Sequence, residues 1–149
     1  MKNSEVVIRA YEASDLETLS TIWFETSQRV HSFLGTERLG EQRHLIETVY
    51  LPDAEVWVAL CDGRPVGFIG LIDAFIGGLF VAQGLQGRGV GRALVDHAMA
   101  LKGELELDVY AENEGARAFY ERLGFDEVSR QPQDDEGLPF ETIRMRNGR

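Results

Sequence analysis

Apolar residues in the first third of the chain recur at intervals of three and four. Between residues 16 and 30 this spacing is typical of an amphipathic helix. Ser14 and Glu17 stand at the start of this stripe with the spacing of a capping box, in which each side chain binds the other residue's backbone amide. A second helix is predicted from about Thr36, and Pro52 is expected to stop it.

The middle of the chain changes to the period-two alternation of β-strands. Asp62-Gly63 separates two alternating runs and indicates a hairpin turn. Gly77-Gly78 falls inside the last of these strands, where paired glycines indicate a bulge or a close approach of another backbone. The strands predicted here and near the N-terminus cover residues 6–8, 56–60, 66–72 and 75–81.

The second half of the chain alternates between helix and strand. A crossover of the strand–helix–strand type requires the two neighbouring strands to be parallel. The fold class is therefore α/β with a mixed sheet, and we expect one domain, residues 1–149. Gly124 has the position of a helix C-cap, and SRQPQDDEGLP, residues 129–139, is interpreted as a polar loop. The predicted elements are helices at residues 87–101 and 113–123 and strands at residues 105–109, 125–128 and 140–145.

Composition and charge exclude several classes of function. The net charge of −10 argues against nucleic-acid binding, which depends on basic surface. The single cysteine, Cys61, cannot form a disulfide within the chain, and we expect it to be a bystander. No apolar run approaches the ~20 residues of a membrane span, and the N-terminus lacks the apolar core of a signal peptide. These features predict a cytoplasmic protein with no membrane or nucleic-acid partner.

The segment GLQGRGVGRALV, residues 84–95, places four glycines and two arginines in front of a helical pattern. The unpaired amides of a helix start and the nearby arginines favour an anion. The segment is not a dinucleotide fingerprint, because Leu94 stands where a third glycine is required. It is not a P-loop either, because Arg92 follows Gly91 in place of lysine. An anion site and a tight strand-to-helix turn are both compatible with these glycines.

Three stretches resemble one known family. Residues 86–91, QGRGVG, resemble the Q/R-x-x-G-x-G/A pyrophosphate motif of the GNAT superfamily of acyl-CoA N-acyltransferases. Residues 110–125, YAENEGARAFYERLGF, resemble the family's N-x-x-A-x-x-F-Y-x-x-x-G-F segment. Residues 30–35, VHSFLG, are similar to an H-x-F-L stretch in a bacterial subgroup of small GNAT enzymes. The order of predicted elements fits that family's fold over nearly the whole chain.

The resemblance implies acetyl-CoA as cosubstrate, held between two parallel strands that splay apart, and it implies no metal. The backbone of Leu79, Phe80 and Val81 would pair with the pantetheine arm. Asn113 would bind the same arm, although asparagine is also a favoured helix N-cap. The residues expected around the pyrophosphate are Gln86, Gly87, Arg88, Gly89, Val90, Gly91 and Arg92.

Tyr120 matches the family's general acid, which would protonate the departing CoA thiolate; a core position beside Phe119 is the alternative. The general base is left open, because the strand before the glycine segment carries no acid or histidine. Asp73, Asp108, His31 and an ordered water are the alternatives. The residues expected to face the acceptor are His31, Phe33, Asp73, Phe75, Asp108 and Tyr110.

The predicted function is transfer of an acetyl group from acetyl-CoA to a primary amine of a small molecule or peptide, by direct attack. The alternative is an inactive GNAT-like module that binds acyl-CoA as a sensor or partner. The presence of Tyr120 favours the enzyme. A homodimer is compatible with either function.

Overall fold

The computed structural model describes residues 6–30, 36–85, 89–134 and 137–148. Within these ranges the helices are α1 (Leu16–Val30), α2 (Thr36–Leu45), α3 (Leu51–Asp53), α4 (Val90–Lys102) and α5 (Glu114–Arg122). The strands are β1 (Val6–Ala10), β2 (Glu55–Cys61), β3 (Arg64–Ile72), β4 (Phe75–Val81), β5 (Glu104–Tyr110), β6 (Asp126–Gln131) and β7 (Thr142–Gly148). No helix of this described part is long and apolar enough to cross a membrane.

The strands form one mixed sheet in the order β1-β2-β3-β4-β5-β7-β6. Strands β1 to β4 form an antiparallel meander, and β5, β7 and β6 form a second antiparallel group. The two groups meet at β4 and β5, which are parallel because α4 carries the chain from one to the other. The predicted α/β fold class with a mixed sheet is confirmed.

The parallel pair is joined at one end only. The register pairs Phe75 with Glu106 and Ile76 with Leu107, and it extends no further along β4 or β5. Beside this point β4 carries its bulge, because Gly70 pairs with Gly78 while Leu71 pairs with Ile76, which leaves Gly77 as the extra residue. The bulge predicted from the paired glycines is present, and the two strands diverge beyond it.

Each face of the sheet carries its own apolar cluster. On one face α4 packs across β1 to β5, and the buried residues of this cluster include Leu94, Tyr120 of α5 and Leu107. On the other face α1 and α2 pack over β2, β3 and β4, with Trp23 and Phe68 at the centre of the cluster. The gap between β4 and β5 therefore connects two helical layers through the sheet.

The capping box predicted at Ser14 and Glu17 is wrong. A 3₁₀ turn, Ala13–Asp15, precedes α1, and Asp15 is the capping side chain because its carboxylate accepts the backbone amide of Glu12 at 2.9 Å. Arg9 of β1 donates to the same buried carboxylate at 2.7 Å. The guanidinium and the amide lower the pKa of Asp15. The capping box is therefore formed by Glu12 and Asp15, two residues before the predicted one.

The second predicted helix is interrupted. The α-helical hydrogen bonding of α2 ends at Leu45, and a π-helical turn, Ile46–Tyr50, leads into α3. Pro52 lies inside α3 and does not stop the helix ahead of it. Since proline has no amide and its ring crowds the preceding turn, a wider turn directly before Pro52 is the expected accommodation.

Candidate active site

The gap between the diverging strands is a cavity of about 270 Å³, here called the wedge cavity. One wall is β4, the other is the end of β5, and the first turn of α5 closes the back. Its lining includes Phe75, Leu79, Phe80, Asp108, Tyr110, Asn113 and Tyr120, all expected site residues, together with Ile76, Gly77, Gly78, Leu107, Val109, Ala116 and Thr142. The sheet therefore brings residues of β4 together with residues of the 110–125 block that resembles the family.

The backbone of β4 faces the wedge cavity at alternate residues. The amide of Ala82 donates to the carbonyl of Val66 at 2.8 Å, and in an antiparallel ladder every second residue points the same way. Phe80 therefore directs its backbone groups toward β3, whereas Leu79 and Val81 direct theirs toward the gap. The carbonyl of Val81 already accepts the Thr26 hydroxyl at 3.4 Å, so Leu79 has the backbone best disposed to pair with an extended ligand.

Tyr120 lies on α5 at the back of the wedge cavity and is 7% exposed. Its ring packs edge-on against Phe119 and Phe125, with centroid distances of 5.1 and 5.3 Å. Burial raises the pKa of the phenol above its ordinary value of 10.0 because the phenolate would be poorly solvated. The group therefore holds its proton through the neutral range, as a general acid must.

Asn113 caps a helix and also lies at the wedge cavity. Its side-chain oxygen accepts the Ala116 amide at 3.1 Å and caps α5. The same residue lines the wedge cavity. Because the oxygen is engaged by the cap, the side-chain NH₂ group is the part of Asn113 that can donate to a ligand.

The start of α4 supplies backbone amides near the mouth of the cavity. The first helical bond runs from the Ala93 amide to the Gly89 carbonyl at 2.9 Å, so Val90, Gly91 and Arg92 have no helical partner for their amides. Gly89 adopts φ 84°, a left-handed conformation that favours glycine. This arrangement fits an anion at the helix N-terminus. Gln86, Gly87 and Arg88 lie outside the described residues.

Gly91 also has a packing role. A Cβ at this position would lie 3.1 Å from the ring of Phe119, so glycine allows α4 and α5 to approach. Arg92 is 69% exposed and lies 3.7 Å from Asp96 one turn along the helix. An exposed pair of this kind contributes little stability, so Arg92 can turn toward an anion at small cost.

The expected acceptor residues fall into three groups. Phe75, Asp108 and Tyr110 line the wedge cavity. Asp73 does not: it lies in the β3–β4 turn, in a second cavity with Glu104, Glu106 and Arg146 at the paired end of β4. That placement corrects the expectation, because the strands diverge in the opposite direction. His31 and Phe33 lie outside the described residues, as does the rest of the H-x-F-L stretch.

Two side chains that the sequence did not predict form hydrogen bonds with residues of the cavity wall. Arg144 of β7 forms a bidentate pair with Asp108, at 2.7 and 2.8 Å, and its guanidinium lies 5.4 Å from the centroid of the Phe75 ring. Asp134, in the connection between β6 and β7, accepts the Tyr110 hydroxyl at 3.1 Å. Neither carries a sequence signal, since Asp108 and Arg144 meet only through the β5–β7 register.

Among the described side chains, no group of three histidines, cysteines, aspartates or glutamates could hold a metal ion. The groups available at the site are the buried Tyr120 hydroxyl, the backbone amides at the start of α4 and the backbone of β4 that faces the gap. These groups suit an extended anionic ligand whose reacting group ends beside Tyr120.

Comparison with known proteins decides the family. The model of the acetyltransferase (GNAT) domain matches residues 52–127. The peptidyl-lysine N-acetyltransferase YjaB of Escherichia coli is 35% identical over 141 residues, covering 94% of this chain and 95% of its own. The chain belongs to the GNAT family of acetyltransferases.

This acetyltransferase shares its fold with solved members of the family. The solution structure of apo-form YjaB from Escherichia coli superposes with a TM-score of 0.87 at 34% identity, covering 95% of this chain and 97% of that chain. The PaiA N-acetyltransferase of Thermoplasma acidophilum, crystallised in complex with coenzyme A, gives a TM-score of 0.79 at 18% identity and covers 97% and 99% of the two chains. At that identity the second comparison supports the fold alone.

A second relative is named for the same activity as the first. The peptidyl-lysine N-acetyltransferase YiaC of Escherichia coli is 31% identical over 134 residues, which is 89% of this chain and 92% of its own. Family membership confirms the predicted function at the coarse level: this acetyltransferase moves an acetyl group from acetyl-CoA to an amine. It also confirms an enzyme over the inactive binding module.

Proposed function

We propose that this acetyltransferase acts as a single domain on the side-chain amine of lysine in a peptide or protein. The observation that carries the proposal is the opening of the sheet between β4 and β5, with Tyr120 at its back. The lysine acceptor is suggested by two relatives named peptidyl-lysine N-acetyltransferases, which align with nearly the whole chain. A lysine side chain is long and narrow, which suits the gap between two diverging strands.

The cofactor lies across the mouth of the wedge cavity in this proposal. Its diphosphate binds at the start of α4, to amides of the segment from Gln86 to Arg92. The pantetheine arm pairs with the edge of β4 at Leu79 and Val81, as an added strand would, and the side-chain NH₂ of Asn113 binds the same arm. These contacts are supported by the direction of the backbone groups described above.

The acyl transfer needs one proton donor and one proton acceptor. The neutral lysine amine attacks the thioester carbon, a C–N bond forms, the C–S bond breaks, and the thiolate takes the proton of the Tyr120 hydroxyl. The amine gives up one proton to water, and the tyrosine recovers its own from solvent. Burial raises the pKa of Tyr120 and weakens it as an acid, but the same surroundings disfavour the thiolate and so maintain the transfer.

The acceptor end is formed by Phe75 and Tyr110. Asp108 also lines it, but both oxygens of its carboxylate accept hydrogen bonds from Arg144 and are turned toward that side chain. For this reason water is the favoured carrier of the amine proton. The Arg144 guanidinium adds a charged group beside the Phe75 ring at the acceptor end. A peptide, which has both polar and apolar groups, suits such a surface.

The experiment that tests the function is an acceptor screen. The protein is incubated with acetyl-CoA and short peptides that each carry one lysine and a blocked N-terminus, alongside a panel of small amines. We expect thiol release that depends on peptide, and mass spectrometry should find the added acetyl group on the lysine side chain. Turnover with small amines and none with peptides would overturn the lysine assignment.

A further inference from the structure

Asp134 is a buried carboxylate to which the proposed acetyl transfer assigns no role. It lies in the connection between β6 and β7, and its side chain is 1% exposed. One carboxylate oxygen accepts the Tyr110 hydroxyl at 3.1 Å, and the other accepts the Leu138 backbone amide at 2.9 Å. The Arg38 guanidinium of α2 lies 4.0 Å away. Three segments of the fold therefore converge on a single acid.

A carboxylate is costly to bury unless it is paired and hydrogen-bonded. The connection between β6 and β7 is otherwise polar, and an aspartate there would ordinarily face water. Here the connection folds back so that Asp134 meets the end of β5, and Phe140 packs edge-on to the Tyr110 ring at 6.4 Å. The arrangement fixes both the ring and the hydroxyl of Tyr110.

Tyr110 and Tyr120 lie on opposite sides of the wedge cavity. Tyr120 belongs to the apolar cluster beneath α4 and α5, and Tyr110 packs against the cluster beneath α1 and α2. Both residues line the cavity. If the thiolate leaves toward Tyr120, the amine must approach the carbonyl carbon from the other side, where Tyr110 lies.

We propose that Asp134 is a positioning residue that acts through Tyr110 on the acceptor amine. By accepting the phenolic proton in a hydrogen bond, Asp134 directs the lone pairs of the Tyr110 oxygen toward the cavity. That oxygen accepts an N–H of the attacking amine and turns the nitrogen lone pair toward the thioester. This inference rests on the proposed function and adds an acceptor-positioning pair to it.

Two substitutions and their combination test the pair. Tyr110→Phe keeps the ring and its contact with Phe140 but removes the oxygen. Asp134→Asn keeps the size and the bond from Leu138, but its NH₂ group donates to Tyr110 and occupies the lone pair that the amine needs. Each variant should lower kcat/KM for the acceptor about tenfold, the size expected of one hydrogen bond to the reacting group. The double variant should be no worse than Tyr110→Phe alone.

Acetyl-CoA affinity, measured by calorimetry, and thermal stability are the readouts that separate positioning from folding. Acetyl-CoA affinity should stay near wild type in the two variants, because the change lies on the acceptor side. Tm should fall by only a few degrees, since each variant removes one partner of a buried polar group and leaves the apolar clusters intact. Glu141→Gln is the matched control: it removes an acid from the same connection, where Glu141 is exposed and pairs with Arg130. It should leave kcat/KM unchanged.

The outcomes distinguish the two proposals. Additive losses in the double variant, or normal kcat/KM in Asp134→Asn, overturn the positioning role while the transferase function stands. Loss of acetyl-CoA affinity equal to the loss of activity also overturns it, since Asp134 would then only support the fold. A wild-type protein that acetylates no amine overturns the proposed function, and the positioning role falls with it.

Discussion

Tyr120 shows how one side chain can serve packing and chemistry together. Its ring fills the cluster between Phe119 and Phe125, and its position on α5 presents it to the wedge cavity. The burial that makes it a good core residue also raises its pKa and preserves the proton. A core position and a general-acid role are therefore compatible for Tyr120. Only a substitution that removes the hydroxyl and keeps the ring can test the acid role.

Tyr120→Phe makes that separation, since it removes one oxygen and keeps the ring in place. If the hydroxyl protonates the thiolate, the chemical step should slow by about 10²–10⁴-fold, the usual size of general acid catalysis. The dissociation constant of acetyl-CoA should change little, because the thiolate does not exist in the ground state. Single-turnover kinetics and calorimetry measure the two quantities.

Tyr11→Phe is the control for Tyr120→Phe, because Tyr11 is also partly buried and packs against the apolar cluster beneath α1 and α2. It should react at the wild-type rate. Equal single-turnover rates for wild type and Tyr120→Phe would remove the acid role and assign the proton to solvent.

At the scale of elements, α4 and β4 are the two elements on which the proposed cofactor site depends. Helix α4 begins with unpaired amides at Val90, Gly91 and Arg92. Strand β4 loses its parallel partner after Ile76 and exposes an edge. An anion and an extended chain are the ligands that these two features bind, and coenzyme A has both.

A charge placed at the start of α4 tests the anion site. Gly89→Asp puts a carboxylate beside the phosphates, so the affinity for CoA should fall at least about tenfold through like-charge repulsion. Gly103→Asp is the matched control at the other end of α4. Gly103 also has a positive φ, 82° against 84° for Gly89, and neither position has an atom within 4 Å of an added Cβ. Calorimetry should find near-normal affinity in the control, and equal losses in both variants would contradict the site.

The elements themselves were largely predictable, because hydrophobic periodicity and turn residues are local signals. The Gly77-Gly78 pair predicted the bulge, and the strand–helix–strand crossover predicted that β4 and β5 are parallel. The capping box of Glu12 and Asp15 is local, but it was missed because serine is a more favoured N-cap residue than glutamate. The pairs Asp108–Arg144 and Tyr110–Asp134 were missed because each joins residues that only the sheet register or a folded-back loop brings together. Local patterns thus predicted the walls of the site better than its polar contacts.

At the scale of the molecule, the sheet consists of two antiparallel groups joined by a short parallel seam. Strands β1 to β4 form one group, and β5, β7 and β6 the other. Only two residue pairs of β4 and β5 connect them in the register, and α4 packs across both groups from one face. A ligand that fills the wedge cavity would touch both groups and would replace part of the missing ladder.

Cofactor binding should therefore stabilise the whole molecule and not the site alone. At a free concentration of CoA about 100 times its dissociation constant, mass action adds about 2.7 kcal/mol to the free energy of unfolding. For a chain of this length that corresponds to a rise in Tm of about 5–10 °C. Hydrogen exchange with and without CoA should show added protection on both walls, at Leu79 and Val81 of β4 and at amides of β5 and α5. The Gly89→Asp variant should lose both effects at the same CoA concentration. Protection confined to the start of α4, with β4 and β5 exchanging as before, would mean that CoA binds by its phosphates alone and that the wedge cavity does not hold the pantetheine arm.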